Sequence, residues 1–344
     1  MGSKFTDILT PKTIDPDYLR NKTVAVDAFN TLYTFLTTIR GRDGTPLSTS
    51  DGKPTSHVVG IFNRFTTFLE NDTQFGFVFD GEPPALKQEE RKRRRKRKEK
   101  AQKKYEDAKA KGDTKNMKKY AARTTFLTKD MQREAKHVID LLGMTSIDAP
   151  SEGEAQAAHL TKNGDAFAVI SQDADSLLNG ATRVVRNLSI SGKRKMPGQR
   201  RYTTVKPELY EYKRVLHDLD VSPTQLLALA MLVGTDYNYG GVKGIGPKRG
   251  IKLVKKHGDD LKAIFEDASW SEHFETPWQR VYETLKNIPV TDDYDLAFTD
   301  PKYDELRHEL VETYEFSEER VEKTLKELRE ARDGEQQVGL NQYF

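Results

Sequence analysis

Seven acidic residues stand where their side chains could share one metal site: Asp27, Asp80, Glu152, Glu154, Asp173, Asp175 and Asp236. Apolar runs over 23–27, 75–80 and 166–173 each end on one of these aspartates and predict buried strands of a mostly parallel sheet. In open α/β sheets the functional crevice lies beyond the carboxyl ends of the strands, so the three aspartates should meet there. Because like charges repel, their meeting predicts a cation between them.

The acidic set also predicts which cation. Carboxylate oxygens favour Mg²⁺ or Mn²⁺ over zinc. Seven ligands exceed what one octahedral Mg²⁺ would use, so we expect two Mg²⁺ ions, for which Mn²⁺ could substitute. Two such ions, roughly 3.5–4 Å apart, can activate a water and stabilise the leaving oxygen of a phosphodiester. The pattern therefore indicates phosphodiester hydrolysis.

The spacing within the set adds two expectations. Asp173 and Asp175 stand two apart at a predicted strand end, so their side chains should share a face. Glu152 and Glu154 can converge only across a junction between extended chain and helix, because helical residues two apart do not face each other. A purely structural alternative exists, since Ser151 and Glu154 fit a capping box and aspartates after strands are common turn formers.

One segment carries most of the positive charge. Residues 87–104 contain twelve Lys or Arg and three Glu, a local charge of +9; with +3 for the whole chain, the remainder carries −6. Such a segment predicts polyanion binding, although a charge run is more often a solvated face or a targeting tag. Lys87 and Arg94 are two helical turns apart and could both hold a scissile phosphate. Spacing alone does not fix which of Arg91 to Arg95 faces inward.

The rest of the chain predicts a helical body around the strands. Residues 86–122 lack an apolar stripe and predict either two solvated helical arms, broken at 111–113, or disorder that orders on a partner. Other helices are expected over 30–39, 57–70, 128–142, 207–218, 223–233, 247–257, 259–267, 277–286 and 317–332. The lack of cysteine excludes disulfides and zinc–thiolate sites and fits a reducing interior. The longest apolar run, at 226–233, is too short to span a bilayer, so no membrane is expected.

A glycine-rich turn over 241–250 opens into a predicted helix. Its glycines, which include Gly244 and Gly246, leave backbone N–H groups exposed at the helix N-terminus. These groups predict a phosphate site, to which Lys248 and Arg249 add positive charge. The alternative is a tight connection between helices. Tyr33, on the helix after the first strand, could stack on a base or belong to the core.

Together these residues resemble the flap endonucleases of the structure-specific 5′ nuclease superfamily, in their archaeal form. The likeness runs over nearly the whole chain. Its segments are Val26-Asp27-Ala28, Thr55-Ser-His57, Phe79-Asp-Gly-Glu-Pro-Pro84, Ala149-Pro-Ser-Glu-Gly-Glu-Ala155, Gln172-Asp-Ala-Asp175, Gly234-Thr-Asp-Tyr237, Gly244-Ile-Gly-Pro-Lys-Arg249 and Phe316-Ser-Glu-Glu-Arg320. One departure is Asn30, which stands where the resemblance implies an apolar residue of a base-stacking wedge.

The resemblance implies an α/β fold of the 5′ nuclease or PIN type, with a mostly parallel central sheet flanked by helices. The nuclease domain would cover residues 1–332, including a basic helical arch at 86–130 and a helix–two-turn–helix element at 223–258. The implied activity is cleavage of DNA phosphodiesters at 5′ flaps and nicks, as endonuclease and 5′-3′ exonuclease, in Okazaki-fragment maturation and base excision repair.

The resemblance also implies roles for single residues. One metal would be held by Asp27, Asp80, Glu152 and Glu154, and the other by Glu154, Asp173, Asp175 and Asp236. Lys87 and Arg94 fall on basic catalytic positions. Arg64 joins Tyr33 and the glycine-rich turn in DNA binding, and the helix–two-turn–helix element would also hold a monovalent cation against the duplex.

Residues 333–344 predict a flexible tail. Within it Gln337, Leu340, Tyr343 and Phe344 resemble a binding box for a trimeric sliding clamp. We expect a monomer in the cytoplasm of an archaeon, associated with the nucleoid, or a nuclear protein in a eukaryote. Two alternatives are a Holliday-junction or excision-repair relative, against which the short length and the terminal box argue, and a non-catalytic clamp adaptor, which would have no use for the acidic set.

Overall fold

A seven-stranded sheet forms the centre of the molecule. The computed structural model describes residues 4–41, 44–121, 124–190, 192–195 and 202–341. Its strands are β1 (Lys12–Thr13), β2 (Thr23–Asp27), β3 (Gln74–Phe79), β4 (Thr145–Asp148), β5 (Ala168–Ile170), β6 (Arg183–Arg186), β7 (Gly192–Lys195), β8 (Tyr202–Val205) and β9 (Glu208–Glu211).

The order across the sheet is β1-β9-β6-β5-β2-β3-β4, while β7 and β8 pair separately. The five neighbouring strands from β4 to β6 in this order all run parallel. Strand β9 pairs antiparallel with β6, and β1 pairs antiparallel with β9 at the edge of the sheet. This confirms the predicted mostly parallel sheet. It also confirms that β2, β3 and β5, which precede three of the predicted site aspartates, are neighbours with a common carboxyl edge.

Helices surround the sheet. They are α1 (Ala28–Thr38), α2 (Ser56–Leu69), α3 (Gln88–Ala110), α4 (Thr114–Ala121), α5 (Lys129–Leu141), α6 (Gly153–Asn163), α7 (Tyr212–Leu219), α8 (Pro223–Val233), α9 (Pro247–His257), α10 (Leu261–Asp267), α11 (Trp270–His273), α12 (Trp278–Lys286), α13 (Tyr303–His308) and α14 (Glu318–Asn341). Among the described residues, no helix is both long and apolar enough to cross a membrane.

Side chains that alternate along the strands feed two cores, one on each face of the sheet. Ala25 and Val78 join the core formed with α6 to α10 and α12. Val24, Val26 and Phe77 join the other core, formed with α1, α2, α5, α13 and α14. Because both faces are covered, the central strands are apolar throughout, which is why the sequence shows them as continuous runs rather than as alternating patterns.

The basic segment forms two helices, as predicted, with the break at Lys111 and Gly112. Helices α3 and α4 pack on each other and bury three small side chains, Ala101, Ala108 and Ala121. We call this helix pair, together with Lys87 at the N-cap of α3, the arm. These alanines are small, so their burial adds little apolar area to the contact between the two helices.

Two predicted boundaries are wrong. The helix expected over 207–218 begins only at Tyr212, because Glu208–Glu211 instead forms strand β9, which pairs with β6. Leu209 and Tyr210 pack into opposite cores from this strand, which outweighs the helical preference of its neighbours. In addition, α14 continues through the predicted tail as far as Asn341.

Candidate active site

Asp27 and Asp80 lie at the carboxyl ends of neighbouring strands. Asp27 caps the N-terminus of α1, and its carboxylate accepts hydrogen bonds from the backbone of Asn30 and the hydroxyl of Ser171, both at 3.0 Å. Asp80 follows β3 and accepts a hydrogen bond from the backbone N–H of Gly153 at 2.8 Å. A Cβ at residue 153 would lie 2.7 Å from the Asp80 carboxylate, so this approach requires glycine.

Glu152 and Glu154 straddle the start of α6, as predicted. Glu152 is the N-cap residue with extended backbone (φ −84°, ψ 127°), and Glu154 lies in the first helical turn. The capping-box alternative is not what the structure shows, since the Ser151 hydroxyl donates to the carbonyl of Glu82. Glu154 is therefore free of that structural role.

Asp173 and Asp175 lie beyond the third strand, but not at its end. Strand β5 stops at Ile170, and Asp175 begins a short 3₁₀ turn that ends at Leu177. The expectation that strand alternation aligns the two side chains is therefore wrong. A loop positions them instead, and the backbone N–H of Asp173 donates to the Ser171 hydroxyl at 3.1 Å.

The arm brings two basic side chains to these acids. The Lys87 ammonium lies 2.5 Å from Glu152 and 3.4 Å from Asp236. The Arg94 guanidinium donates to both carboxylate oxygens of Asp236, at 2.8 and 2.7 Å, and to Glu90 at 2.9 Å. Spacing alone does not show which of Arg91 to Arg95 faces inward. In the structure, Arg94 contacts Asp236.

The electrostatics of the carboxylates show that several of them act on one another. Burial and the neighbouring Asp80 raise the pKa of Asp27 to about 7. Loss of hydration also raises the pKa of Asp80, although this side chain keeps a solvent-exposed face. Burial, followed by the charges of Asp175 and Glu152, raises the pKa of Glu154 well above its usual value. Confined negative charge of this kind is what a bound cation relieves.

The basic residues offset part of this charge. Burial alone would lower the pKa of Lys87, but the carboxylates of Glu152, Glu154 and Asp236 outweigh it and raise that pKa. Burial would raise the pKa of Asp236, yet Lys87 and Arg94 hold it below its ordinary value. We call the seven predicted acids the acidic cluster, and the arm supplies its counter-charges.

The donor set fits hard divalent cations, because every side-chain donor in the acidic cluster is a carboxylate oxygen. Within the ranges that the structure describes, no three histidine or acidic side chains stand close enough to form a ready-made metal site.

Sequence reasoning missed three groups that organise the acidic cluster. Tyr237 donates its hydroxyl to Glu152 at 2.8 Å, and its position directly after Asp236 was the available signal. Asn30 accepts from the backbone N–H of Gln172 at 2.9 Å, which joins α1 to the loop after β5. The hydroxyl of Ser171 connects the same loop to Asp27, and nothing in the spacing indicated it.

The predicted DNA-binding residues lie on three elements. Tyr33, on α1, is half-buried; its hydroxyl donates to the carbonyl of Thr125, and the Lys98 ammonium lies 4.8 Å from its ring centre. Arg64 lies half-buried on α2, where burial lowers its pKa. All four residues of the predicted phosphate site at the N-terminus of α9 are exposed: Gly244, Gly246, Lys248 and Arg249.

The predicted clamp-binding box is described only in part. The backbone of Gln337 and Leu340 is helical as part of α14. Tyr343 and Phe344 lie outside the described residues.

The parallel sheet, the acidic cluster at its carboxyl edge and the basic arm define a metal-dependent DNA nuclease of the XPG class. Residues 3–101 match the model of the XPG N-terminal domain, and residues 143–236 match that of the XPG I-region. Both matched segments contribute to the acidic cluster, the first through Asp27 and Asp80 and the second through the other five acids.

Full-length relatives narrow the class. The chain is 44% identical to Flap endonuclease 1 of Hyperthermus butylicus, covering all of this chain and 99% of that protein. It is 42% identical to Flap endonuclease 1 of Pyrococcus abyssi, covering all of this chain and 98% of that protein. The solved flap endonuclease-1 from Methanococcus jannaschii superposes with a TM-score of 0.75 at 40% identity, covering 97% of this chain and all of that one. The chain belongs to the flap endonuclease family.

Proposed function

We propose that this protein is a structure-specific 5′ flap endonuclease with 5′-3′ exonuclease activity, which hydrolyses DNA phosphodiesters at flap junctions and nicks. One observation carries the proposal: an acidic cluster at the carboxyl edge of the sheet faces Lys87 and Arg94 from a basic arm. Carboxylates that bind metal, placed against cations that bind phosphate, suit hydrolysis of a polyanion.

The acidic cluster would hold two divalent cations, Mg²⁺ or Mn²⁺. Asp27, Asp80, Glu152 and Glu154 would serve one, and Glu154, Asp173, Asp175 and Asp236 the other. When bound, the ions supply an activated water and stabilise the leaving oxygen of the phosphodiester. The raised pKa values of Asp27 and Glu154 support this assignment, because they reflect burial and the charges of neighbouring carboxylates, both of which a bound cation would offset.

Lys87 and Arg94 would then exchange partners. Without DNA they neutralise Glu152 and Asp236. With these carboxylates engaged as metal ligands, Lys87 and Arg94 would be available to the scissile phosphate, whose growing negative charge they would stabilise. Basic side chains that already stand at the reacting centre need little reorganisation.

The other DNA contacts would orient the substrate. Backbone N–H groups at the N-terminus of α9, with Lys248 and Arg249, would hold the duplex backbone without reading its sequence, together with a monovalent cation at the same element. Tyr33 would stack on a base beside the acidic cluster, and Arg64 would contact phosphate. The arm would enclose the single-stranded flap.

In the cell we place this activity in Okazaki-fragment maturation and base excision repair, in the cytoplasm of an archaeon. The enzyme would act as a monomer, recruited to a trimeric sliding clamp through Gln337, Leu340, Tyr343 and Phe344. A non-catalytic clamp adaptor is disfavoured, because an adaptor gains nothing from an acidic cluster whose crowding raises carboxylate pKa values.

The test is Asp175→Ala with a labelled 5′ flap. We expect cleavage in Mg²⁺ to fall by about 10³-fold or more, in line with loss of a metal ligand, while binding to the duplex junction survives. The matched control is Asp304→Ala, which removes an exposed aspartate on α13 and should leave the rate unchanged. Equal cleavage by Asp175→Ala and the parent chain would remove the two-metal proposal.

A further inference from the structure

The loop that follows Asp236 makes a second contact with the arm. The ring of Tyr239 lies under the guanidinium of Arg93, with 3.5 Å between the Arg93 Cζ and the ring centre. The Arg97 guanidinium donates to the Tyr239 hydroxyl at 2.7 Å. Arg93 and Arg97 are one helical turn apart on α3, so a single aromatic side chain engages both.

We propose that Tyr239 is a positioning residue that docks the arm on the body, so that Arg94 and Lys87 stay over the acidic cluster. The inference rests on the proposed function and adds a residue to it. Arg94, which lies between the two docked arginines in sequence, reaches Asp236 three residues before Tyr239. Loop and helix therefore meet at two adjacent points, one ionic and one aromatic.

The loop is a firm support for this contact. Asn238, which is buried, donates to the carbonyl of Met231 at 2.6 Å and accepts from the Thr235 hydroxyl at 2.7 Å. These bonds fix the loop to the end of α8. The Tyr239 side chain itself is 41% exposed, so it is not part of either core. An aromatic ring on a rigid loop, turned out of the core, suits docking rather than packing.

The arm needs such a device because its own sequence offers no apolar face to bury on the body. Its residues 88–110 are dominated by charged side chains, and the buried residues of α3 are Ala101, Ala108 and the acidic Glu90. Guanidinium stacking on an aromatic ring supplies attraction without requiring that the charge be removed from water.

Elsewhere on α3, Arg94 pairs with the part-exposed Asp236, and the Lys98 ammonium lies over the Tyr33 ring of α1. Part-exposed polar contacts of this kind each contribute little, so Tyr239 adds to them in fixing the angle of α3.

The cleavage test compares Tyr239→Ala, Tyr239→Phe and the parent chain in single-turnover reactions on a labelled 5′ flap with Mg²⁺. We expect about a tenfold lower rate for Tyr239→Ala with nearly unchanged duplex affinity, because the duplex contacts lie on α9. Tyr239→Phe keeps the ring under Arg93 but loses the Arg97 hydrogen bond, so its rate should be intermediate. Tyr18→Ala, which removes an exposed tyrosine from a different surface, should match the parent.

A second comparison separates docking from loss of charge. Arg97→Ala and Arg95→Ala each remove one positive charge from α3, but the pairing partner of Arg95 is Glu99 rather than the loop. We expect Arg97→Ala to be slower than Arg95→Ala. The double variant with Tyr239→Ala should be no slower than Tyr239→Ala alone, because both changes break the same contact.

A distance measurement decides the matter without cleavage. The chain has no cysteine, so spin labels can be placed at Lys103→Cys on the arm and Lys213→Cys on the body. Tyr239→Ala should broaden the distance distribution between the labels, and Tyr239→Phe should broaden it less. Unchanged distances and rates in Tyr239→Ala would refute the docking role. If the parent chain failed to cleave flaps, the proposed function would fail instead, and the distances would still decide whether Tyr239 docks the arm.

Discussion

At the scale of a single residue, Asp27 shows why a bound cation would stabilise the acidic cluster. It is 7% exposed, it ends a buried strand, and its neighbour Asp80 carries the same charge. The hydrogen bonds from Asn30 and Ser171 stabilise the ionised form, but burial and repulsion outweigh them. An ionised carboxylate in this position is destabilising until a metal ion or a proton neutralises it.

The protein without metal should therefore lose stability as the pH rises. The pKa of Asp27 is raised from 3.8 to about 7, so between these values the folded state holds a proton that the unfolded chain has released. The contribution is fully present below about pH 4 and is lost as the pH passes about 7, on the order of a few kcal/mol. Mg²⁺ bound at the proposed site would take the place of the proton, so its stabilising effect on the folded state should grow over the same range.

Thermal unfolding at several pH values, with EDTA and with Mg²⁺, measures this effect. In EDTA the Tm should fall from about pH 5 to about pH 8, and in Mg²⁺ the fall should be smaller. The variant Asp27→Asn cannot titrate at this position, so its Tm in EDTA should depend less on pH. Identical pH dependence with and without Mg²⁺ would contradict the assignment of Asp27 as a metal ligand.

Single residues also mark what spacing can and cannot predict. That Asp27 and Asp80 lie at the ends of neighbouring strands could be predicted, because each ends a recognisable apolar run and parallel strands end at one edge. The expectation that Asp173 and Asp175 share a face of a strand is wrong, because a loop carries both residues.

The role of Ser171 could not be predicted, because it depends on a contact across the fold that no local period encodes. Tyr237 was missed although it directly follows Asp236.

At the scale of elements, the N-terminus of α9 is the clearest candidate for holding the duplex. The helix begins at Pro247 after the exposed Gly246, and Lys248 and Arg249 are exposed in its first turn. The Arg249 guanidinium also approaches the carbonyl of Gly244 at 3.4 Å, which keeps it near the turn. Two exposed cations at a positive helix end form an electrostatic, sequence-independent site.

Replacing Lys248 by alanine should therefore weaken duplex binding by a similar factor for every sequence. The plot of log affinity against log salt concentration should become shallower by about one unit, because one phosphate contact is lost. Fluorescence anisotropy with two unrelated duplexes over a salt series gives both quantities. Lys256→Ala, at the opposite end of α9, is the control and should leave the slope nearly unchanged. A change confined to one duplex would indicate base contacts instead.

Elements were predictable where their patterns are long. Helix α2 follows directly from apolar spacing. For the arm, the lack of an apolar stripe left solvated helices and disorder as alternatives, and the structure shows helices. Strand β9 was mistaken for helix because four residues, Glu208–Glu211, carry too little pattern, and its pairing with β6 decides its structure. The structure of so short a strand is fixed by its partners elsewhere in the chain, here β6 on one side and β1 on the other.

At the scale of the whole molecule, the acidic and basic parts of the chain coincide with two structural parts, the body and the arm. The acidic body carries the sheet and its acids, while the basic arm lies across the carboxyl edge. Its contacts reach Tyr33 through Lys98 and Tyr239 through Arg93 and Arg97. The sequence predicted this separation of charge, but the contacts that orient the arm could only be seen in the fold.

The C-terminal segment should act independently of the nuclease body. Its box offers a polar anchor at Gln337, an apolar one at Leu340, and two aromatic rings at Tyr343 and Phe344, which is chemistry suited to a pocket on a partner protein. All four residues lie beyond Arg332, the last one that we assign to the nuclease domain.

A chain that ends at Arg332 should therefore cleave free flap DNA within about twofold of the full-length rate, but its rate should no longer rise when a trimeric sliding clamp is loaded on the substrate. The double substitution Tyr343→Ala and Phe344→Ala should reproduce the loss of stimulation, since buried aromatic anchors carry most of the binding energy of small interfaces. Steady-state rates with and without clamp measure both effects. Retained stimulation in the shortened chain would place the clamp contact elsewhere, whereas loss of basal cleavage would show that the segment supports the nuclease body itself.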